Sequence, residues 1–274
     1  MARKDSQSTA KASVAPAPTY DRRPVISLDD KCQGIAAGSG ALKPRGRFTL
    51  EAWIYPTTKA GKQVIYSEGE SLFYLEDGEL KYQNASAESA IASVGAGITA
   101  GNWYHVAIAR GGRRAGKTKL FVNASENDNQ AAIPAVLTVG STYLGSQPDV
   151  ADTRFQGKLL EVRVWRYARS QAEIQANMTY FLTGRELGLM RCWTGDEGYG
   201  NTISDRTTNR AVGTAIGDLT WEGCEIPIKT NLNAQERLTR STGLEDYGFW
   251  FKEMAKQQQQ TGAEPPFRRG RIWA

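Results

Sequence analysis

The fold of this chain is decided by a nine-residue stretch, FTLEAWIYP, at residues 48–56. Every second position in it is apolar, namely Phe48, Leu50, Ala52 and Ile54. Successive side chains of a β-strand point to opposite faces, so a period of two places these four side chains on one face. The stretch therefore predicts a strand that covers a hydrophobic core.

The same pattern of short apolar runs recurs along the chain, with turn residues between the runs. One such turn, Asp77-Gly78, supplies the two positive φ angles of a type I′ hairpin. Many short strands at this spacing indicate an antiparallel sandwich rather than alternating strands and helices. Further strands are predicted at residues 63–67, 71–75, 79–83, 103–110, 119–123, 137–139, 159–167 and 188–193.

The pattern divides the chain into three parts. Residues 1–24 are rich in Ser, Ala, Pro and charge and are expected to form a flexible basic arm. Residues 25–223 form the predicted sandwich, with one short internal helix that begins at a capping box of Ser170 and Glu173. Residues 224–274 form a helical and extended tail that ends in basic and aromatic residues.

The net charge follows the same division. The chain has 274 residues and a formal net charge of +5, from 34 Lys and Arg against 29 Asp and Glu. Residues 1–24 contribute +3 and residues 225–274 contribute +2, while the residues between them carry 21 charges of each sign. Without a clustered basic stripe, nucleic acid is not an expected partner.

Composition excludes several other classes. A mean hydropathy of −0.48 and the lack of an 18-residue apolar run argue against a membrane-spanning helix. A single His makes a His-ligated metal centre unexpected, and three Cys without CxxC spacing predict neither a disulfide framework nor a zinc site. The first residues lack the apolar core of a secretory signal, so we expect a cytoplasmic protein.

Several motifs in order carry a family resemblance. The stretch at 48–56 resembles a strand motif of laminin-G-like domains in the concanavalin A-like lectin/glucanase superfamily. The resemblance implies a two-sheet antiparallel jelly roll of about a dozen strands over residues 25–223. The remaining motifs are GNWYHVA (101–107), LFVN (120–123), FQGKLLEVRVW (155–165), ARSQAEI (168–174), LTGRELGL (182–189) and DEGYGN (196–201).

Three motifs that suggest catalysis are weak in context. The stretch GGRRAGKT at 111–118 matches a phosphate loop, but a strand rather than a helix follows it. His105 lies inside a predicted strand without a nucleophile motif to partner it, and a packed core position is expected. The acidic residues near 76–79 and 196–197 lack the spacing used by glycosidases of this fold. No enzymatic activity is predicted.

The loops of the sandwich contain a candidate ligand site. Rim loops are the usual lectin sites on jelly rolls, and Asp149, Asp152 and Arg154 form a candidate rim loop. Asp128 lies in a second polar turn, and loop carboxylates of this kind can bind Ca²⁺. No cofactor is predicted, with calcium as the alternative. Five tryptophans are expected to pack in the core or on a sheet face: Trp53, Trp103, Trp165, Trp193 and Trp221.

The tail suggests attachment to other proteins. Its aromatic and arginine side chains are of the types that dominate protein interfaces. The leading hypothesis is a non-catalytic subunit anchored by its arms in a larger protein assembly, and the alternative is a lectin-type carbohydrate-binding module. Such domains resemble those of bacterial, including cyanobacterial, multiprotein particles. The predicted partner-binding residues are Tyr247, Phe249, Trp250, Phe251, Phe267, Arg268, Arg269, Arg271 and Trp273.

Overall fold

A computed structural model shows two antiparallel β-sheets packed face to face, which confirms the predicted all-β sandwich. The structure describes residues 21–29, 31–42, 46–84, 86–111, 116–127, 132–133, 140–148, 150 and 152–228. The strand predicted at 137–139 and the helices predicted in the tail lie outside these residues. Within them, no helix is long and apolar enough to cross a membrane.

In the part of the chain that the structure describes, the first sheet has nine strands, in the order β10-β9-β8-β3-β13-β1-β17, with β11 paired to β9 and β14 paired to β13. The central strand of this sheet is β3, which is the FTLEAWIYP stretch. The strands of the first sheet are β1 (Asp21–Leu28), β3 (Phe48–Pro56), β8 (Tyr104–Arg110), β9 (Gly116–Val122), β10 (Ser125–Glu126), β11 (Ala132–Ile133), β13 (Gly157–Trp165), β14 (Leu189–Trp193) and β17 (Thr220–Ile226).

Among the described residues, the second sheet has eight strands, in the order β15-β16-β2-β12-β4-β5-β6-β7. The short helix α1 (Gln171–Met178) follows β13 of the first sheet. The strands of the second sheet are β2 (Cys32–Ser39), β4 (Lys62–Glu68), β5 (Ser71–Glu76), β6 (Glu79–Asn84), β7 (Ser86–Ala92), β12 (Ser141–Leu144), β15 (Thr202–Ile203) and β16 (Gly213–Gly217).

The core between the sheets is built by the alternation that the sequence predicts. The apolar face of β3 (Phe48, Leu50, Ala52 and Ile54) is buried in the main cluster, opposite aromatic and aliphatic side chains of the second sheet. Burying each large aliphatic or aromatic side chain contributes about 1.5–3 kcal/mol. The opposite face of β3 carries Glu51 and Trp53, which are also buried. Both faces of this strand are therefore covered.

The predicted turn signal and the predicted helix cap both act as expected. Asp77 and Gly78 have φ angles of 54° and 85°, and they close the hairpin between β5 and β6. At the start of α1, the Ser170 side chain accepts a hydrogen bond from the Glu173 backbone N–H, and the Glu173 side chain accepts one from the Ser170 backbone N–H. A further turn, after β9, has Ala124 at a φ of 61°, a position that favours Gly.

The paired strands extend a few residues beyond both predicted domain boundaries. Asp21 lies opposite Ile226 in the β1–β17 ladder, so residues from the predicted arm and tail belong to the first sheet. Arg23 lies in this ladder, and its Nη1 is 2.8 Å from Oδ2 of Asp196. Part of the basic excess at the N-terminal side is therefore fixed on the sandwich itself.

Candidate functional site

One row of side chains crosses the second sheet on the face turned away from the core, which we call the outer face. Directly opposite residues in neighbouring antiparallel strands project to the same face. The ladder registers connect Ala36, Tyr143, Ser67, Leu72 and Gln83 in this way, one from each of five strands. Their chain neighbours belong to the main core cluster, so the row itself faces outward.

One half of the outer face is closed by its own side chains. An apolar cluster there is buried, and it consists of Val64, Leu72 and Tyr74. The Nζ of Lys62 lies 4.4 Å from the centre of the Tyr74 ring, and Lys81 forms an ion pair of 2.5 Å with Glu76. Burial raises the pKa of the Tyr74 hydroxyl. This half is packed and ion-paired, so it offers little to a ligand.

The other half of the outer face is open, and we call it the open half. Its floor is Ala36 on β2, with the half-buried Tyr143 of β12 on one side. On the other side lies Thr214 of β16, directly opposite Ala36. Val212 and Ile216, two residues before and after Thr214, are 56% and 37% exposed. The open half is therefore a shallow apolar strip with hydroxyl groups at its edges.

The loop after β12 borders this strip and is tied to the sheet. Ser67 donates through its Oγ to the carbonyl oxygen of Ser146, at 2.8 Å. The side chain of Ser146 fills the space above Gly34, since a Cβ built on Gly34 would lie 1.9 Å from the Ser146 Oγ. The absence of a side chain at Gly34 is what allows the loop to lie against β2.

The structure brings only part of the predicted rim loop to this border. Arg154 is half-buried, and its backbone forms an isolated parallel β-bridge with Val64 of β4. Asp152 is exposed and has a φ of 60°. Asp149, like Asp128, lies outside the described residues. Among the residues that the structure describes, no group of three or more His, Cys, Asp or Glu side chains is placed to hold a metal ion.

His105 is placed in a buried polar network on the first sheet, as the sequence predicted. Its Nε2 lies 3.4 Å from Oε2 of Glu51, and Oε1 of Glu51 accepts a hydrogen bond of 2.5 Å from the Trp165 indole. Arg163 lies 3.8 Å from the same carboxylate and pairs at 2.8 Å with Glu161. All of these groups are buried, so the network cannot reach a substrate.

Burial and charge set the protonation of this network. Burial lowers the pKa of His105 to about 4, although the neighbouring Glu51 opposes the shift. Burial alone would raise the pKa of Glu51, but the positive charges of Arg163 and Arg169 and the hydrogen bond from Trp165 leave it lowered. The neutral imidazole and the ionised carboxylate are therefore the forms present near neutral pH.

The other sequence motifs also have structural places. Trp53, Trp165 and Trp193 are buried as predicted, while Trp103 and Trp221 are half-buried. The strand expected after the phosphate-loop match is β9. The nine predicted partner-binding residues of the tail, at positions 247–273, lie outside the described residues.

The open half was missed by the sequence analysis. Its residues come from β2, β12 and β16, which lie far apart in the chain, and from Val212 just before β16. The segments CQGIAAGS and STYL have no long apolar alternation that would mark a strand. Only the ladder register brings Tyr143, Ala36 and Thr214 side by side.

Comparison with known proteins agrees with this architecture. A family model described as the concanavalin A-like lectin/glucanases superfamily matches residues 29–175. No curated protein matches the chain. Among solved structures, a Bacteroides ovatus protein assigned provisionally to carbohydrate binding has a TM-score of 0.63 and 21% identity, over 78% of this chain and 63% of that one. The chain thus spans less than two thirds of that protein.

Two further solved structures have lower similarity. The CBM40 of a Ruminococcus gnavus sialidase, bound to α2,3-sialyllactose, has a TM-score of 0.44 and 18% identity, over 57% of this chain and 96% of that one. A heptameric SAP-like pentraxin from Limulus polyphemus has a TM-score of 0.43 and 18% identity, over 78% of this chain and 94% of that one.

Two stacked antiparallel sheets with these connections define the class of jelly-roll sandwich proteins. Within that class, the family model matches more than half of the length of this chain, and this match identifies the family. The chain belongs to the concanavalin A-like lectin/glucanase superfamily.

Proposed function

We propose that this chain is a non-catalytic carbohydrate-binding module, and that the open half of the outer face is its binding surface. The observation that carries the proposal is the position of Tyr143 beside the small floor residue Ala36, with Val212 and Ile216 exposed across the strip. A sugar ring has apolar C–H faces and hydroxyl edges. It therefore suits an aromatic side chain next to apolar surface, with hydroxyl groups at the border.

Two further observations support this proposal. The Bacteroides ovatus protein that shares the fold is assigned provisionally to carbohydrate binding. The open half is made of Ala36, Tyr143, Val212, Thr214 and Ile216, and none of these is a carboxylic acid. Glycoside hydrolysis generally uses a pair of carboxylates. Binding without bond cleavage is the function that these side chains support best.

A glycan array tests the proposal. The full chain is applied with and without a chelator, beside the variants Tyr143→Ala and Tyr199→Ala. Tyr199 is a matched control because it is an exposed aromatic residue in the loop between β14 and β15, whereas Tyr143 lies in strand β12. We expect the wild type and Tyr199→Ala to bind the same glycans and Tyr143→Ala to lose them. If the wild type binds no glycan on the array, either with or without the chelator, the proposal is overturned.

The hypothesis of an anchored subunit stays a prediction from the sequence of the tail. The structure refines its test, because β17 runs to Ile226 and the buried Ile228 packs near Trp53. A truncation should therefore remove residues 229–274 and keep these contacts. We expect the truncated chain to fold but to leave its assembly, and normal co-purification with that assembly would contradict the hypothesis.

A further inference from the structure

The open half carries four hydroxyl groups that the protein itself does not use. They project from outward positions of β12, β15 and β16, and they belong to Ser141, Tyr143, Thr202 and Thr214. Residues next to them face inward, since Ile203 belongs to the main core cluster and Thr142 donates to the buried Glu68. Within the described part of the chain, none of the four hydroxyls forms a hydrogen bond with another residue. The hydroxyl of Ser67 differs, because it donates to the Ser146 carbonyl oxygen.

Three of these hydroxyls lie in one row with the floor residue. Thr202 lies opposite Thr214, Thr214 lies opposite Ala36, and Ala36 lies opposite Tyr143. Residues paired in this way project to the same face of a sheet. The row crosses the neighbouring strands β15, β16, β2 and β12, and it is about 14 Å long at the ordinary spacing of strands. The open half therefore has a long axis that runs across the strands.

The strands of the open half contain no charged residue. β2, β12, β15 and β16 have the sequences CQGIAAGS, STYL, TI and GTAIG. The packed half around Tyr74 is different, because β4 begins at Lys62 and β6 contains Lys81. Charged residues begin beyond the ends of the open strands, at Lys31, Arg210 and Asp218. A backbone hydrogen bond of 3.2 Å joins Asp218 to Lys31, so opposite charges meet at that end.

This composition selects uncharged ligands. A carboxylate or sulfate group loses water when it binds, and the loss is offset only where a cation or strong donors replace the water. The strands of the open half supply no such cation. A hydroxyl group both donates and accepts, so it can pair with a sugar hydroxyl in either direction. The exposed side chains of Val212 and Ile216 suit the apolar C–H faces of a sugar.

We propose that the open half binds uncharged oligosaccharides that extend across the strands, and that it discriminates against glycans with carboxylate or sulfate groups. This inference rests on the proposed carbohydrate-binding function and adds the charge and the length of the ligand. A sugar residue in an extended chain is about as long as one strand spacing, so the row accommodates about three residues. Tyr143 contacts the ring of one residue, and Thr214 and Thr202 bind the hydroxyl groups of the residues that follow.

Calorimetric titration of the full chain with defined oligosaccharides tests the inference. The probes are neutral hexose and pentose oligosaccharides from monosaccharide to pentasaccharide, uronic-acid oligosaccharides of the same lengths, and sialyllactose. We expect the affinity to rise with length up to the trisaccharide and then to level off. Oxidation of the primary hydroxyls of the best hexose trisaccharide to carboxylates should weaken binding about tenfold or more. The affinity for the neutral trisaccharide should be the same at low and high salt, because no ion pair forms.

A pair of threonine variants tests the row itself. Thr214→Val removes one hydroxyl and keeps the shape of the side chain. Thr208→Val is the matched control, since Thr208 is exposed in the loop between β15 and β16. We expect Thr214→Val to bind the neutral trisaccharide about fivefold more weakly and Thr208→Val to bind it as the wild type does. Thermal unfolding establishes that both variants are folded.

The outcomes separate this inference from the proposed function. If acidic glycans bind through Tyr143 at least as tightly as their neutral counterparts, this inference is overturned and the carbohydrate-binding function stands. The same holds if a monosaccharide binds as tightly as the trisaccharide, or if Thr214→Val and the wild type have equal affinities for the trisaccharide. If no glycan of either charge class binds the wild type, both the proposed function and this inference are wrong.

Discussion

The imidazole Nε2 of His105 lies 3.4 Å from Oε2 of Glu51, and the two side chains are 1% and 0% exposed. The pair joins β8 to β3 at the centre of the first sheet, where His105 lies directly opposite Trp53 and Glu51 lies directly opposite Ala107. Arg163 and Arg169 add positive charge nearby. The stability of the sandwich should therefore respond to acid through this pair.

The first prediction concerns acid. The folded protein keeps His105 neutral down to its pKa of about 4, whereas the unfolded chain binds a proton near the ordinary value of 6.5. A lowered folded pKa gives stability that is complete above pH 6.5 and is lost as the pH falls towards 4. The loss should be roughly 3 kcal/mol.

Urea unfolding between pH 7.5 and pH 4 measures this effect. The variant His105→Gln cannot titrate at this position, so its profile should be flatter than that of the wild type in the same window. Subtracting the two profiles removes the contribution of Glu51 and the other carboxylates. Parallel profiles would show that His105 is not the titrating group.

The second prediction concerns the carboxylate of the pair. In Glu51→Gln the buried Arg163 loses one of its two anionic neighbours, and an incompletely paired charge in the interior is costly. We expect a loss of about 3 kcal/mol in the free energy of unfolding. Glu126→Gln, which breaks the partly exposed pair with Lys119, should change it by less than about 1 kcal/mol. Similar effects in the two variants would contradict the assigned role of burial.

The third prediction concerns Gly34, where the loop after β12 meets β2. Gly34 has a φ of 126°, and a methyl group there would lie 1.9 Å from the Ser146 Oγ. We expect Gly34→Ala to cost more than about 2 kcal/mol in unfolding experiments. Gly61 has a φ of 70°, and a Cβ built on it would have no atom within 4 Å. The substitution Gly61→Ala should therefore lower the free energy of unfolding by only about 1 kcal/mol.

A double variant separates the two causes at this position. Gly34→Ala combined with Ser146→Gly removes the collision but keeps the backbone strain. It should be more stable than Gly34→Ala but less stable than Gly61→Ala, because a φ of 126° lies in a region that essentially only Gly adopts. If the double variant is no more stable than Gly34→Ala, contact with Ser146 is not the cause of the loss.

The strands with strong local signals could be predicted from the sequence. The alternation at 48–56, the Asp77-Gly78 turn and the Ser170–Glu173 capping box each depend on neighbouring residues, and the structure confirms all three. The resemblance across 25–223 gave the sandwich class. These features are local, so their physics is visible in a short window of sequence.

The open half could not be predicted in the same way. β2 is rich in Gly and Ala, and β12 has only four residues, so neither shows a clear apolar period. The register between β12 and β2 also shifts between Ser141 and Tyr143, and such an irregularity breaks simple alternation. Tyr143 and Thr214 lie beside Ala36 because strands distant in the chain pair with each other. Such long-range pairing cannot be inferred from the pattern of a single sequence.

Tyr143 is the residue on which the proposed carbohydrate site depends most. Calorimetric titration of the strongest array glycan into the wild type and Tyr143→Ala tests it directly, with Tyr199→Ala as the control. Loss of one stacked aromatic ring is worth about 1.5 kcal/mol, so Tyr143→Ala should bind at least about tenfold more weakly, while the control binds as the wild type does. Equal affinities for the wild type and Tyr143→Ala would contradict the open half as the binding surface.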